Sequence, residues 1–197
     1  AIAMAKRAQR PGAVAAARLA GLGYALPGSV LALGLLTPLA GLDNIIAGAF
    51  RELTGQRIGL LIIGSGGAIV IAYVIRFLTI GISGAESGLE RVSPRVDEAA
   101  RTLGAGMREL TWNVHWPLLK PSFAASALLV FVDAMKELPA TLLLRPLNSE
   151  TLATLVYAQA SRGSYEDGAW AALLIVLAGL YPVARLARAI DKRHSPS

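Results

Sequence analysis

Three stretches without a charged residue constrain this chain most: residues 19–42, 58–75 and 168–184, which run for 24, 18 and 17 positions. A bilayer core about 30 Å thick is crossed by roughly 20 mostly apolar residues in a helix. The first stretch exceeds that length, and the other two reach it once the flanking arginines, which can snorkel, are counted. Only 16% of the 197 residues are charged, against about 25% in a soluble domain. The chain therefore reads as a polytopic membrane protein, all-α, a bundle of about four transmembrane helices.

The spans are expected at about 22–42, 58–76, 121–144 and 168–185, within a membrane domain covering 19–184. A basic segment precedes it at 1–18 and a basic tail follows at 185–197. Pro27 and Pro38 interrupt the first span, as neighbouring helices permit in a membrane. Gly64, Ala68 and Ala72 recur every four residues in the second and form a face for close helix packing. The first residue is Ala, and residues 1–4 read as the tail of an earlier helix, so the chain is expected to be the C-terminal part of something longer.

Four spans place residues 1–18, 76–120 and 185–197 on one side. That side holds fourteen Lys and Arg: Lys6, Arg7, Arg10, Arg18, Arg76, Arg91, Arg95, Arg101, Arg108, Lys120, Arg185, Arg188, Lys192 and Arg193. The other side holds four, Arg51, Arg57, Arg145 and Arg162. The bias marks the first side as cytoplasmic. It also accounts for the net charge of +6 without nucleic acid, for which no aromatic-interleaved basic patch exists.

Cytoplasmic residues 83–120 contain "SPRVDEAARTLGAGMRELTWNVHWP". Ser93 is a helix N-cap, with Pro94 in the first turn. Asp97 and Glu98 follow where the helix dipole favours negative charge. Val96, Ala99, Ala100 and Leu103 form one narrow apolar face, and Gly104 and Gly106 end the helix. That face is too small to anchor in lipid and suits a shallow protein groove.

Glu98, Ala99, Ala100 and Gly104, followed by Val114 and Pro117, resemble the EAA loop of permeases in binding-protein-dependent ABC importers. Val114 and Trp116 stand where the family pattern has Ile and Leu. The resemblance implies the type I importer permease fold, commonly about six spans. It implies that the loop is a coupling helix docking on a cytoplasmic ATPase dimer, with Glu98 in polar contact, Ala99 and Ala100 allowing close approach and Gly104 the turn. It also implies a periplasmic solute-binding protein, received by outer loops 43–57 and 145–167, and a second permease half, fused or separate. ATP is then used by the partner, and this chain binds no cofactor and is not an enzyme. The expected location is the bacterial inner membrane, with the EAA loop and C-terminus cytoplasmic.

Asp133, Lys136 and Glu137 lie about 18, 22 and 24 Å beyond Pro121 along a helix, and Pro139 loosens it just beyond. Charges at that depth avoid lipid. They either line or gate a translocation path, or form a network buried between helices in which one acid pairs with Lys136 and the other is protonated. The string "MKELPATLLLRP" also resembles the ferric-iron branch of the permease family, which makes ferric iron the expected solute. Thiamine, polyamine, sulfate and molybdate permeases share the EAA loop and remain alternatives, as do a channel, scaffold or membrane enzyme.

Other signals are set aside. "GSGG" at 64–67 lacks the Lys-Ser/Thr of a phosphate loop and reads as helix packing. His115 and His194 are the only histidines, too few for a multi-His metal site, and there is no Cys. His115 is expected at the membrane interface, with Trp112, Trp116 and Trp170 in aromatic belts. No catalytic constellation is present.

Overall fold

The computed structural model describes residues 11–194, apart from the side chains of residues 94, 101, 107 and 185–194. Lys6, Arg7, Arg10, the suspected earlier helix at residues 1–4, and residues 195–197 lie outside the described residues. The described chain is helical, with no strand among its residues. The order is α1 (Pro11–Ala25), α2 (Gly28–Thr54), α3 (Gly67–Glu90), α4 (Pro94–Thr102) and α5 (Met107–Glu109). A π-helical turn, Leu110–His115, leads into α6 (Trp116–Met135), and α7 (Pro139–Leu144), α8 (Leu152–Ser161) and α9 (Tyr165–His194) complete it.

Four segments are long and apolar enough to cross a membrane: Gly28–Thr54, Gly67–Glu90, Leu110–Met135 and Tyr165–Ala184. Their bounds depart from the hydropathy reading for identifiable reasons. At the first span Pro27 takes an extended conformation (φ −56°, ψ 138°) and separates α1 from α2. Pro38 stays inside α2, which runs on to Thr54. The second helix begins at Gly67 rather than near 58, and reaches Glu90. Residues 58–66 are not helical because the Asp43 carboxylate takes the backbone N–H groups of Leu61, Ile62 and Ile63, at 2.9, 2.8 and 2.9 Å. Gly64 therefore precedes the helix instead of joining its packing face, and Gly66 (φ 81°) supplies the left-handed turn that starts α3. The third helix starts about ten residues before Pro121 and stops at Met135, followed by a break at 136–138 and the short α7. The connecting loop is correspondingly shorter than 83–120.

The core lies where α2, α3 and α7 meet. Leu31, Ala32 and Leu39 of α2 pack on Ala68 and Ala72 of α3 and on Ala140 and Leu144 of α7. Ala68 and Ala72 are fully buried, as their spacing requires. Antiparallel α3 and α6 meet more tightly still. A Cβ on Gly84 would run into Ser126, and one on Gly88 would meet Leu119 and Ser122. Small residues that let two backbones approach are the usual device for helix association in lipid. By contrast Leu173, Leu177, Leu180 and Val183 of α9 are exposed, an apolar surface that a chain surrounded by water would cover.

Candidate functional sites: the α4 loop and a polar joint between broken helices

The EAA residues gather at one end of the bundle. α4 starts after Ser93, whose Oγ accepts from Arg95 N–H at 3.4 Å. It closes with bonds from Leu103 N–H to the Ala99 carbonyl (3.2 Å) and from Ala105 N–H to the Ala100 carbonyl (3.0 Å). The second bond spans five residues and needs a left-handed residue between its ends; Gly104 provides it with φ 84°. Glu98 is exposed. Among the described residues, Val96, Ala99 and Leu103 of the apolar face of α4 are exposed, Leu103 at 87%, and Ala100 is half-buried. Val114 is half-buried in the π turn, and Pro117 is exposed at the start of α6.

His115 is packed inside the chain rather than on its surface. It is buried, 1% exposed, with Nε2 3.0 Å from Asp97 Oδ1. One acid-imidazole contact therefore joins α4 to the π turn below α6. π turns are rare and cluster at functional positions. Trp112 and Trp116 beside it are exposed, their rings 5.9 Å apart.

The charged triplet splits in two. Lys136 pairs with Asp133 at 2.9 Å on the surface of the chain. Glu137 turns inward, where its carboxylate stands 3.5 Å from Nε of Arg76. The second acid is thus matched by an arginine, and a neutral network built on Lys136 alone is corrected. Arg76 belongs inside α3 and so drops out of the fourteen basic residues expected on the α4 side. Its place as the only charged residue between Arg57 and Glu86 was the signal that could have singled it out.

Around this pair two helix breaks meet. Arg76 Nη1 donates to the Leu26 carbonyl at 2.7 Å, just before Pro27. Glu137 Oε1 accepts from Ala140 N–H at 3.3 Å, and the backbone of Gly28 lies against the same oxygen so closely that a Cβ would collide with it. One turn along α3, Tyr73 Oη lies 2.5 Å from Thr141 Oγ1 and 3.4 Å from the Ala134 carbonyl. Thr141 Oγ1 donates to the Glu137 carbonyl at 2.9 Å. Pro139 is the exposed first residue of α7. Non-helical backbone at membrane depth persists only when its polar groups are satisfied from within the protein, and here Arg76 and Glu137 satisfy both breaks. Among the described residues no three His, Cys, Asp or Glu side chains come together to hold a metal ion.

Residues 1–196 match the family described as "Binding-protein-dependent transport system inner membrane component". The chain belongs to that family. It is 32% identical over 115 residues to the Fe(3+)-transport system permease protein FbpB 2 of Haemophilus influenzae, covering 58% of this chain and 23% of that protein. To the ferric transport system permease protein FbpB of Actinobacillus pleuropneumoniae it is 29% identical over 133 residues, covering 67% and 19%. To the molybdenum transport system permease protein ModB of Escherichia coli it is 27% identical over 165 residues, covering 79% and 72%. The chain thus spans less than a quarter of the length of the two ferric relatives.

Proposed function

We propose that this chain is the permease portion of an ABC importer that carries ferric iron across the bacterial inner membrane. Iron arrives on a periplasmic binding protein, and ATP is hydrolysed on a separate ATPase dimer. The observation that carries the reading is the α4 helix. It stands between two membrane-length helices with Glu98 exposed and Val96, Ala99 and Leu103 of its apolar face exposed. A left-handed Gly104 closes it and Asp97 ties it to the π turn that leads into α6. A short helix with such a face suits a groove on another protein, and that tie gives the docked partner purchase on the membrane helices. In this reading α4 and the C-terminus are cytoplasmic and a second permease half completes the path. The binding protein meets 55–66 in place of 43–57, because α2 runs on to Thr54, and 145–164 in place of 145–167, because α9 starts at Tyr165. The Arg76–Glu137 joint, with Pro139 beside it, borders that path, and Asp133 and Lys136 form an ion pair outside it.

The ferric assignment draws on the two iron-named relatives, while the molybdenum-named relative matches over more of this chain. The test is uptake by proteoliposomes that hold the full-length permease and the ATPase encoded beside it, with the cognate binding protein added. Radiolabelled ferric iron should accumulate with ATP and molybdate should not. Molybdate uptake without iron uptake would replace the solute, and no ATP-dependent uptake of any solute would reject the permease reading. In the same vesicles Glu98→Ala should release the ATPase and abolish uptake with insertion intact.

A further inference from the structure

Among the described residues, Arg76 and Glu137 together join both helix breaks, Arg76 from within α3 and Glu137 from the second break itself. Arg76 sits inside α3, about 13 Å along the helix from Gly67 and about 21 Å from Glu90, where an ionised group is rare and marks function more often than decoration. One nitrogen holds the Leu26 carbonyl at the α1–α2 break, and Nε faces Glu137 at the α6–α7 break. Tyr73, three residues earlier on the same face, grips Thr141 and the Ala134 carbonyl on the two sides of the second break. Two chain breaks that would swing independently are thereby fixed to one helix, and α3 is the helix that continues into α4.

The contact with Glu137 is not a saturated hydrogen bond. Nε is buried, makes no hydrogen bond, and its closest carboxylate oxygen is 3.5 Å away. Glu137 itself is held by Ala140 N–H and the Gly28 backbone. An ionic contact of this length can close or part with an ångström of helix movement, whereas the Leu26 and Thr141 bonds keep the elements in register.

We propose that Arg76 is a positioning residue for transport, its guanidinium making α3 the carrier of both helix breaks so that movement of α3 opens or closes the path beside Glu137. This rests on the permease reading above. The test uses the full-length protein with its ATPase in proteoliposomes and the double substitution Arg76→Gln/Glu137→Gln, which leaves no unmatched charge in the membrane. Two readouts are taken. Solute uptake should fall at least tenfold while ATP hydrolysis persists. Nitroxides at Leu22 and Leu143, both exposed, should give one narrow distance distribution in the wild-type pair and a broadened one in the double variant. If the inserted double variant keeps wild-type uptake or the narrow distribution, the pair is only a charge-neutral filler and the proposal is overturned. If it does not insert, Tyr73→Phe, which removes one hydroxyl, carries the same decision, with a threefold loss of uptake and a broadened distribution expected and unchanged values refuting it. Wild-type uptake reports on the permease reading separately. The label distances need no transport, so they decide the positioning role even where no solute moves.

Discussion

Two aspartates hold the segments that leave the bundle, and they hold them differently. Asp43 is 1% exposed and takes three consecutive backbone N–H groups. Asp97 has a quarter of its side chain exposed and meets a single imidazole, with neither His115 nitrogen in a well-aligned hydrogen bond. Turning the Asp43 side chain would break three bonds at once and leave three N–H groups without their acceptor, so it stays in place. A carboxylate bonded to one side chain can part from it and return. The 58–66 segment is therefore clamped and α4 is hinged.

The contrast can be broken most forcefully at Asp43. Asp43→Ala strands three N–H groups that were bonded to a charged acceptor, at a cost of about 3 kcal/mol or more. The detergent-solubilised protein should melt well below wild type, with new protease cleavage at residues 58–66. His115→Ala should cost about 1–2 kcal/mol, and locally: hydrogen exchange at residues 94–106 should rise about tenfold while α3 and α6 keep their protection. Equal and global losses from the two substitutions would erase the distinction between clamp and hinge. Gly104→Ala places a Cβ in the left-handed region at roughly 1 kcal/mol. Exchange should quicken at Leu103 and Ala105 with no change at Asp97. The smallest effect is expected at Thr151, whose hydroxyl accepts from Thr154 N–H in a reciprocal cap of α8. Thr151→Ala should cost about 0.5–1 kcal/mol and fray α8 alone, so any response of α4 to it would contradict the separation of the two ends.

What the sequence made legible follows the range of the interactions. The all-helical membrane class was readable from runs of uncharged residues, and α4 from Ser93, Pro94 and Gly104, because all of these act within one or two turns. The start of α3 was not, because an apolar run has the same hydropathy as helix or as extended chain, and the decision rests with Asp43, some twenty residues away. The partner of Glu137 was hidden for the same reason. Lys136 is its neighbour in sequence, but Arg76 lies 61 positions earlier and reaches it only through the antiparallel packing of α3 and α6. His115 looked like an interfacial residue between two tryptophans, and only the folding back of α4 brings Asp97 over it.

The contact of Gly84 and Gly88 with Ser122 and Ser126 bears on compliance. Two helices separated by long side chains can slide past each other as rotamers adjust. Here Gly84 lies against the Ser126 hydroxyl and Gly88 against Leu119 and Ser122, so α3 and α6 have little slack in which to slide. In the proposed reading, a push received at Gly88 is carried about 18 Å further along α3 to Arg76. A bulkier residue at either glycine would pry the two helices apart, even with every charged group in place.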